Sequence, residues 1–178
     1  ALGFIVEDGK VYPDPEKLMT LVSYPAPKNV KQLQRFLGFV GFYRQFFEHY
    51  SQKARPLTNL LKKSSTYEWT EECQKAFDII RTELTDLSML VLPDLNKPFI
   101  ITTDGSKAGL GAILSQEQDG VRYPVWFASK TLTGAEQNYS VTEIECLAVV
   151  WAVRKFRGYV EFTNFVVETD HQALKWLM

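Results

Sequence analysis

The chain has 178 residues, 46% of them hydrophobic and 13% aromatic, with a formal net charge of −1. That composition excludes a disordered polypeptide; no apolar run reaches the length a transmembrane helix needs, so no membrane association is expected; and no signal peptide is recognisable. Two cysteines (Cys73, Cys146) and two histidines (His49, His171) are too few for a disulfide framework or a zinc site, so an intracellular setting is expected, cytoplasmic or nuclear and not secreted.

Taken in order, residues 2–6 read as a strand, Asp8-Gly9 as a hairpin turn that favours positive φ, and Val11-Tyr12 as the return strand. Pro13 and Pro15 close the hairpin, and a short helix over 16–23 follows. Pro25 and Pro27 mark a boundary. Asn29 is placed to cap a long helix over 30–50, whose apolar positions Val30, Leu33, Leu37, Val40 and Tyr43 recur at helical spacing. Five phenylalanines between 36 and 47 widen that face. Gly38 and Gly41 inside it each cost roughly 1 kcal/mol against Ala, so a close neighbour is expected there, either a partner helix or a nucleic-acid backbone. A second helix over 56–62 would carry Pro56 in its first turn. Thr70 caps a third helix that runs to residue 84, and 89–93 is an extended apolar connector.

From Pro98 the rhythm becomes that of strands, over 99–104, 109–116 and 122–128, with a turn at Asp119-Gly120 that implies an antiparallel meander. Ser140 and Glu143 form a capping box for a helix over 141–156, which Gly158 is placed to stop. A fourth strand over 161–169 and a helix from His171 complete the order β-β-β-α-β-α. The expected fold is α/β (α+β overall): residues 1–27 a hairpin and exit, 28–92 a helical block, and 93–178 an α/β unit that ends inside a helical run.

Charge is unevenly spread over this plan. Residues 28–63 carry eight Lys or Arg against one acid, while 64–178 carry ten against sixteen. A basic block beside an acidic one points to a polyanion-binding part joined to a cation-binding part, although a solvated helical face gives the same count.

Three acids stand at structured positions. Asp104 ends a predicted strand, where a carboxylate is held rigidly within reach of solvent; an Asx-turn fits it equally well. On the following helix, helical phase sets Glu145 at the edge of the apolar stripe and Glu143 toward water, where the capping box already uses it. Asp170 follows the fourth strand, as a metal ligand or as a plain N-cap, with Glu168 on the same strand face as an outer-shell or surface acid. Oxygen donors without a histidine or thiolate cluster favour Mg²⁺ or Mn²⁺, and two such ions suit phosphodiester hydrolysis. Gly109-Leu110-Gly111-Ala112 hints at a dinucleotide loop but lacks the third glycine and precedes strand composition.

The stretches 98–106, 109–116, 138–143, 145–152 and 169–174 resemble the ribonuclease H domain of gypsy-type LTR retrotransposon reverse transcriptases. Upstream, 2–17 looks like the hairpin and exit of the polymerase palm, and 27–44, 55–61 and 69–70 look like its thumb and connection. The resemblance implies a ribonuclease H-like fold behind a helical thumb. It implies hydrolysis of the RNA strand of an RNA–DNA hybrid with two Mg²⁺ ions (Mn²⁺ as an alternative) held by Asp104, Glu145 and Asp170. Lys28, Lys31, Arg35, Arg44, Lys53, Arg55 and Ser106 would bind hybrid or other double-stranded nucleic acid. The remaining partners would be the rest of a polyprotein: palm, fingers and integrase. The aromatic-X-Asp-Asp polymerase loop is absent from this sequence, as is the fourth acid that the family carries further along. Reduced activity of this piece, or a catalytically incompetent nucleic-acid-binding or interaction module, is therefore the alternative. Gly105 stands where the family usually has Ala.

Overall fold

The structure is a computed structural model and describes residues 3–169. The first hairpin forms as its turn chemistry dictates: β1 (Phe4–Glu7) and β2 (Lys10–Pro13) pair antiparallel around Asp8 and Gly9, with φ of 51° and 74°. A third strand, β3 (Leu90–Val91), joins β2. Part of the expected connector thus closes a three-stranded sheet. Leu90 and Val91 are both buried, and pairing gives their backbone groups partners.

Asp14 caps α1 (Pro15–Val22), and Asn29 caps α2 (Val30–Gly41) through a bond from the Gln32 amide. The long helix expected over 30–50 is broken. After α2 come a 3-10 turn at Arg44–Phe46, an extended Phe47 and a left-handed His49 (φ 53°), and then α3 (Tyr50–Thr58). The aromatics explain the break. Tyr43, Phe46, Phe47 and Tyr50 are all buried; the bend gathers Phe42, Tyr43 and Phe46 around Phe4, at ring-centroid distances of 4.8, 5.8 and 5.6 Å, and sets Phe47 against Tyr50 at 5.6 Å. Pro56 consequently sits inside α3 rather than at a helix start, and a 3-10 turn at Asn59–Leu61 ends the segment. Thr70 caps α4 (Glu71–Leu84) as expected, burying Ala76, Phe77, Ile80 and Leu84 against α2 and α3. Phe36 and Phe77, both fully buried, meet at 4.8 Å.

The second sheet has the order β6-β5-β4-β7, built from β4 (Phe99–Ser106), β5 (Gly109–Gln118), β6 (Val121–Lys130) and β7 (Phe165–Glu168). The first three strands form the expected meander, turning at Asp119 and Gly120 with φ of 53° and 78°, while β7 lies parallel to β4. Between β6 and β7 run α5 (Val141–Lys155), closed by the Ser140–Glu143 capping box, and the short α6 (Arg157–Val160). Gly158 lies within α6 and does not stop the chain, because Phe156 caps α5 and buries itself, and β7 starts correspondingly late.

Alternation gives the second sheet two covered faces. Phe99, Ile101, Ala112, Leu114 and Ala128 pack with Ala152 and Phe156 of α5. Phe127 packs on the core of the helical block instead. The helical block is fastened to the sheet by polar contacts: the Ser51 amide donates to Ser129 Oγ at 2.8 Å, Arg44 Nη2 to the Ser129 carbonyl at 3.0 Å, and Gln52 Nε2 to the Leu110 carbonyl at 3.1 Å. Among the described residues, no helix is long and apolar enough to cross a membrane.

Candidate active site and nucleic-acid interface

Asp104 lies near the C-terminal end of β4, with its side chain 67% exposed. Cross-strand pairing puts Gly111 of β5 beside it and Ser129 of β6 beyond. The next residue, Gly105, is where the strand meets α5: a Cβ there would lie 3.0 Å from the Ile144 carbonyl oxygen and 3.1 Å from its Cγ2. The absence of a side chain at 105 thus allows the first turns of α5 to press on the strand end. Glu145 follows Ile144, is half-buried, and has an interaction partner. Asp104 and Glu145 each stand one residue from the same strand–helix contact.

Glu143 has the role that helical phase assigns it. Its carboxylate accepts from the Ser140 amide at 3.1 Å while Ser140 Oγ accepts from the Glu143 amide. These bonds from Ser140 hold its pKa below the usual glutamate range. Glu168, opposite Thr102 on β7, is a surface acid bound by both terminal nitrogens of Arg122 at 2.9 and 3.1 Å, and that pairing lowers its pKa. Asp170 lies outside the described residues, as does the helix expected from His171. Among the described residues, no group of three or more His, Cys, Asp or Glu side chains is arranged to hold a metal ion.

A residue that sequence reasoning did not select comes from the helical block. His49 Nε2 is 3.5 Å from Asp104 Oδ2 and 3.6 Å from Glu48 Oε1. Its ring rests on Gly111, where a Cβ would fall 2.6 Å from His49 Cε1. Glu48, His49, Asp104, Thr102 and Gly111 line a cavity of about 60 Å³, enough for a few waters. A lone histidine carries no signal in the sequence. The glycine opposite carried one, but the dinucleotide-loop pattern drew it elsewhere.

The basic residues separate into two sets. Lys28, Lys31 and Arg35 are exposed at and beyond the start of α2. Arg44 ties the block to Ser129 and lies over the Tyr50 ring at 5.2 Å. Lys53 pairs with Glu83 at 2.8 Å, and Arg55 is half-buried on α3. Ser106 is exposed, and its Oγ accepts from the Ala108 amide. Among the described residues, a Cβ added at Gly38 or Gly41 would meet no atom of another element within 4 Å, so packing against a described element does not account for them. Gly38 instead opens onto a cavity of about 540 Å³ shared with Phe39, Phe42 and α1, and Phe39 and Phe42 are 53% and 48% exposed.

An antiparallel meander joined to a parallel fourth strand through a covering helix, docked on a helical block, defines a ribonuclease H-like α/β fold with a helical partner. A family described as "RNase H-like domain found in reverse transcriptase" matches residues 69–167, and the chain belongs to it. Among its relatives are two Pol polyproteins of Drosophila melanogaster. That of transposon 412 is 40% identical over 99% of this chain, and that of transposon gypsy is 37% identical over 97%. The chain spans only 14% and 18% of their lengths. The same fold occurs in the foamy viral protease-reverse transcriptase in complex with RNA/DNA hybrid, with a TM-score of 0.83 and 21% identity over 99% of this chain and 24% of that one.

Proposed function

We propose that this chain is the part of a retrotransposon reverse transcriptase that hydrolyses the RNA strand of RNA–DNA hybrids, with Asp104, Glu145 and Asp170 holding the metal ions. The observation that carries the reading is the Gly105–Ile144 contact, which sets an exposed strand-end carboxylate and a helix carboxylate on either side of one close approach. The donor chemistry fits Mg²⁺ or Mn²⁺, since the candidates are carboxylates and no thiolate is among them. Two Mg²⁺ ions bound there would activate a water and stabilise the leaving 3′ oxygen.

The residues of the chain supply binding and orientation. Lys28, just before α2, and Lys31 and Arg35 along it, all exposed, provide salt-dependent attraction for phosphates. The uncovered glycines 38 and 41 leave room for a backbone to come close. Arg44 and Lys53 act within the fold as well, one fastening the helical block and the other paired with Glu83. The choice of the RNA strand rests on its 2′-hydroxyls. The natural partners would be the other parts of the Pol polyprotein, palm, fingers and integrase, in the cytoplasm or nucleus.

Mn²⁺ titration followed by NMR line broadening tests the metal reading without requiring turnover. Broadening should centre on residues around Asp104 and Ile144 and be strongly reduced in Asp104→Asn. Broadening that is absent, or unchanged in that variant, refutes it. Cleavage of a labelled hybrid in Mg²⁺, lost in Asp104→Asn, would establish the activity. Hybrid binding without cleavage or metal broadening would instead identify a binding module, the reading favoured by the His49 ring lying beside Asp104.

A further inference from the structure

The outer strand of the second sheet forms the floor of a groove distinct from the Asp104 cavity. β6 is an edge strand, and its last five residues, Trp126 to Lys130, line a space of about 360 Å³ between the bend that follows α2 and the second half of α5. The walls bring Arg44 and Gln45 from the bend, Trp126 and Lys130 from the strand, and Trp151 and Lys155 from α5. Three of these six side chains are cationic, and none of the described residues lining the groove is acidic. Among the described residues, none of the three cations lies within ion-pair distance of a carboxylate, and the charge of Lys130 reaches the Glu136 carboxyl only as a minor influence. Both indoles are only partly buried.

We propose that this groove binds a single strand of nucleic acid, with a base on the indoles and the adjoining phosphates on Lys130 and Lys155. Each part of that ligand answers a feature of the site. An indole face stacks any base, and unpaired cations follow a phosphate backbone. The volume falls within the range of about 300–1,000 Å³ usual for small-ligand sites, room for one nucleotide unit at a time. An acidic peptide would satisfy the lysines and leave the indoles uncovered, and the bases of a duplex are stacked on one another and out of reach. Arg44 is already fixed by Ser129 and Tyr50, so its charge is held at the wall and needs no ordering when a ligand arrives. Ser129 is joined through Gly111 to Asp104 by successive strand pairing, which places the groove about 10 Å, two strand spacings, from the candidate active site. A strand bound there is a single-stranded overhang or a released product rather than the hybrid itself. The inference does not depend on the metal reading.

Fluorescein-labelled oligo(dT) and oligo(rU) test it, by anisotropy and by quenching of intrinsic tryptophan fluorescence. Both should bind with similar affinity, because stacking and phosphate contacts do not read the 2′-hydroxyl. Trp151→Ala should weaken both by at least about fivefold, the lower end of one base–aromatic stack. Because Trp151 also packs on the core, the surface double variant Lys130→Gln/Lys155→Gln provides a second arm. It should lower the slope of log affinity against log salt by about 1.4, two phosphate contacts on a single strand. The inference is overturned if the chain binds neither oligomer, if a folded double variant keeps the wild-type slope, or if polyglutamate competes as well as oligo(dT) at equal charge. It is overturned also if a hybrid duplex loses as much affinity as the single strands in Trp151→Ala. Mn²⁺ broadening around Asp104 is read separately, so either result can fail without the other.

Discussion

Three glycines in different surroundings offer a graded test of how the helical block is seated on the sheet. At Gly109, φ is +147° and an added Cβ would fall 2.6 Å from the Lys130 carbonyl oxygen and 2.7 Å from Gln52 Nε2. Neither neighbour is free to yield: one is strand backbone, and the other donates to the Leu110 carbonyl. Alanine there combines backbone strain of about 1–3 kcal/mol with overpacking of about 1–3 kcal/mol and disturbs a hydrogen bond worth about 1 kcal/mol. A loss of at least about 3 kcal/mol is expected. For a chain of this size that corresponds to a fall in Tm of about 6–12 °C. At Gly111 the clash is just as close, 2.6 Å, but with the imidazole of His49, whose side chain is 32% exposed. The ring can swing outward, so the expected cost is about 1–2 kcal/mol, together with a change in the NMR signals of His49 as it leaves Asp104. At Gly38 an added Cβ would meet no atom of another described element within 4 Å and φ is not left-handed, so alanine should stabilise α2 by up to about 1 kcal/mol. Urea denaturation of the three variants measures the series. Gly109→Ala costing less than Gly111→Ala, or Gly38→Ala proving destabilising by more than about 0.5 kcal/mol, would refute this account of the interface.

The other expectations concern packing, capping and charge. Phe36→Ala removes a fully buried ring in contact with Phe77 and should cost about 3–5 kcal/mol in the same denaturation assay. Ser140→Ala removes the N-cap side chain of α5 and should cost about 1 kcal/mol, while the Glu143 carboxyl, which keeps the amide of residue 140 as its main stabilising donor and loses only the hydroxyl, stays below the usual glutamate range. The folded-state pKa of Glu168 is depressed by Arg122, so the stability from that pair is present above the unfolded carboxylate pKa and is lost as pH falls through the folded value. In Arg122→Gln the Glu168 carboxyl should titrate nearer its ordinary value by NMR, and an unchanged titration would contradict the pairing. Cys146 is exposed and Cys73 buried, so a thiol reagent under native conditions should label the first and spare the second until the chain unfolds.

The parts of the fold legible in the sequence are those written in local chemistry. Asp8-Gly9 and Asp119-Gly120 do form left-handed turns, and Asn29, Thr70 and Ser140 each cap the expected helix. These depend on hydrogen bonds between residues two or three apart. What was not legible depends on distant partners. The break after Gly41 answers to Phe4, nearly forty residues earlier, around which the aromatics gather. The strand at Leu90–Val91 exists because β2 has an open edge to receive it. Gly158 looked like a helix stop, but Phe156, one turn after Ala152, is drawn into the core and ends the helix first.

The candidate site divides along the same line, and the division bears on how it would work. The capping role of Glu143 was legible because the phase of a helix is a local property and the capping box fixes its origin at Ser140. His49 was invisible because its place is set by two remote conditions at once. The bend of the aromatic segment brings residue 49 over the sheet, and the missing side chain of Gly111 leaves room for its ring. Neither condition alone would place it 3.5 Å from Asp104. The surroundings of that carboxylate are therefore assembled by docking the helical block on the sheet through Ser51, Gln52 and Arg44. Any change that loosens those contacts alters the environment of Asp104 without touching β4. Ser129→Ala, which deletes the hydroxyl that accepts from the Ser51 amide, should accordingly shift the His49 NMR signals while leaving the cross-strand amide bonds of β4 and β5 protected from exchange. His49 signals that stay in place would mean that the contact with Asp104 is held by Gly111 alone.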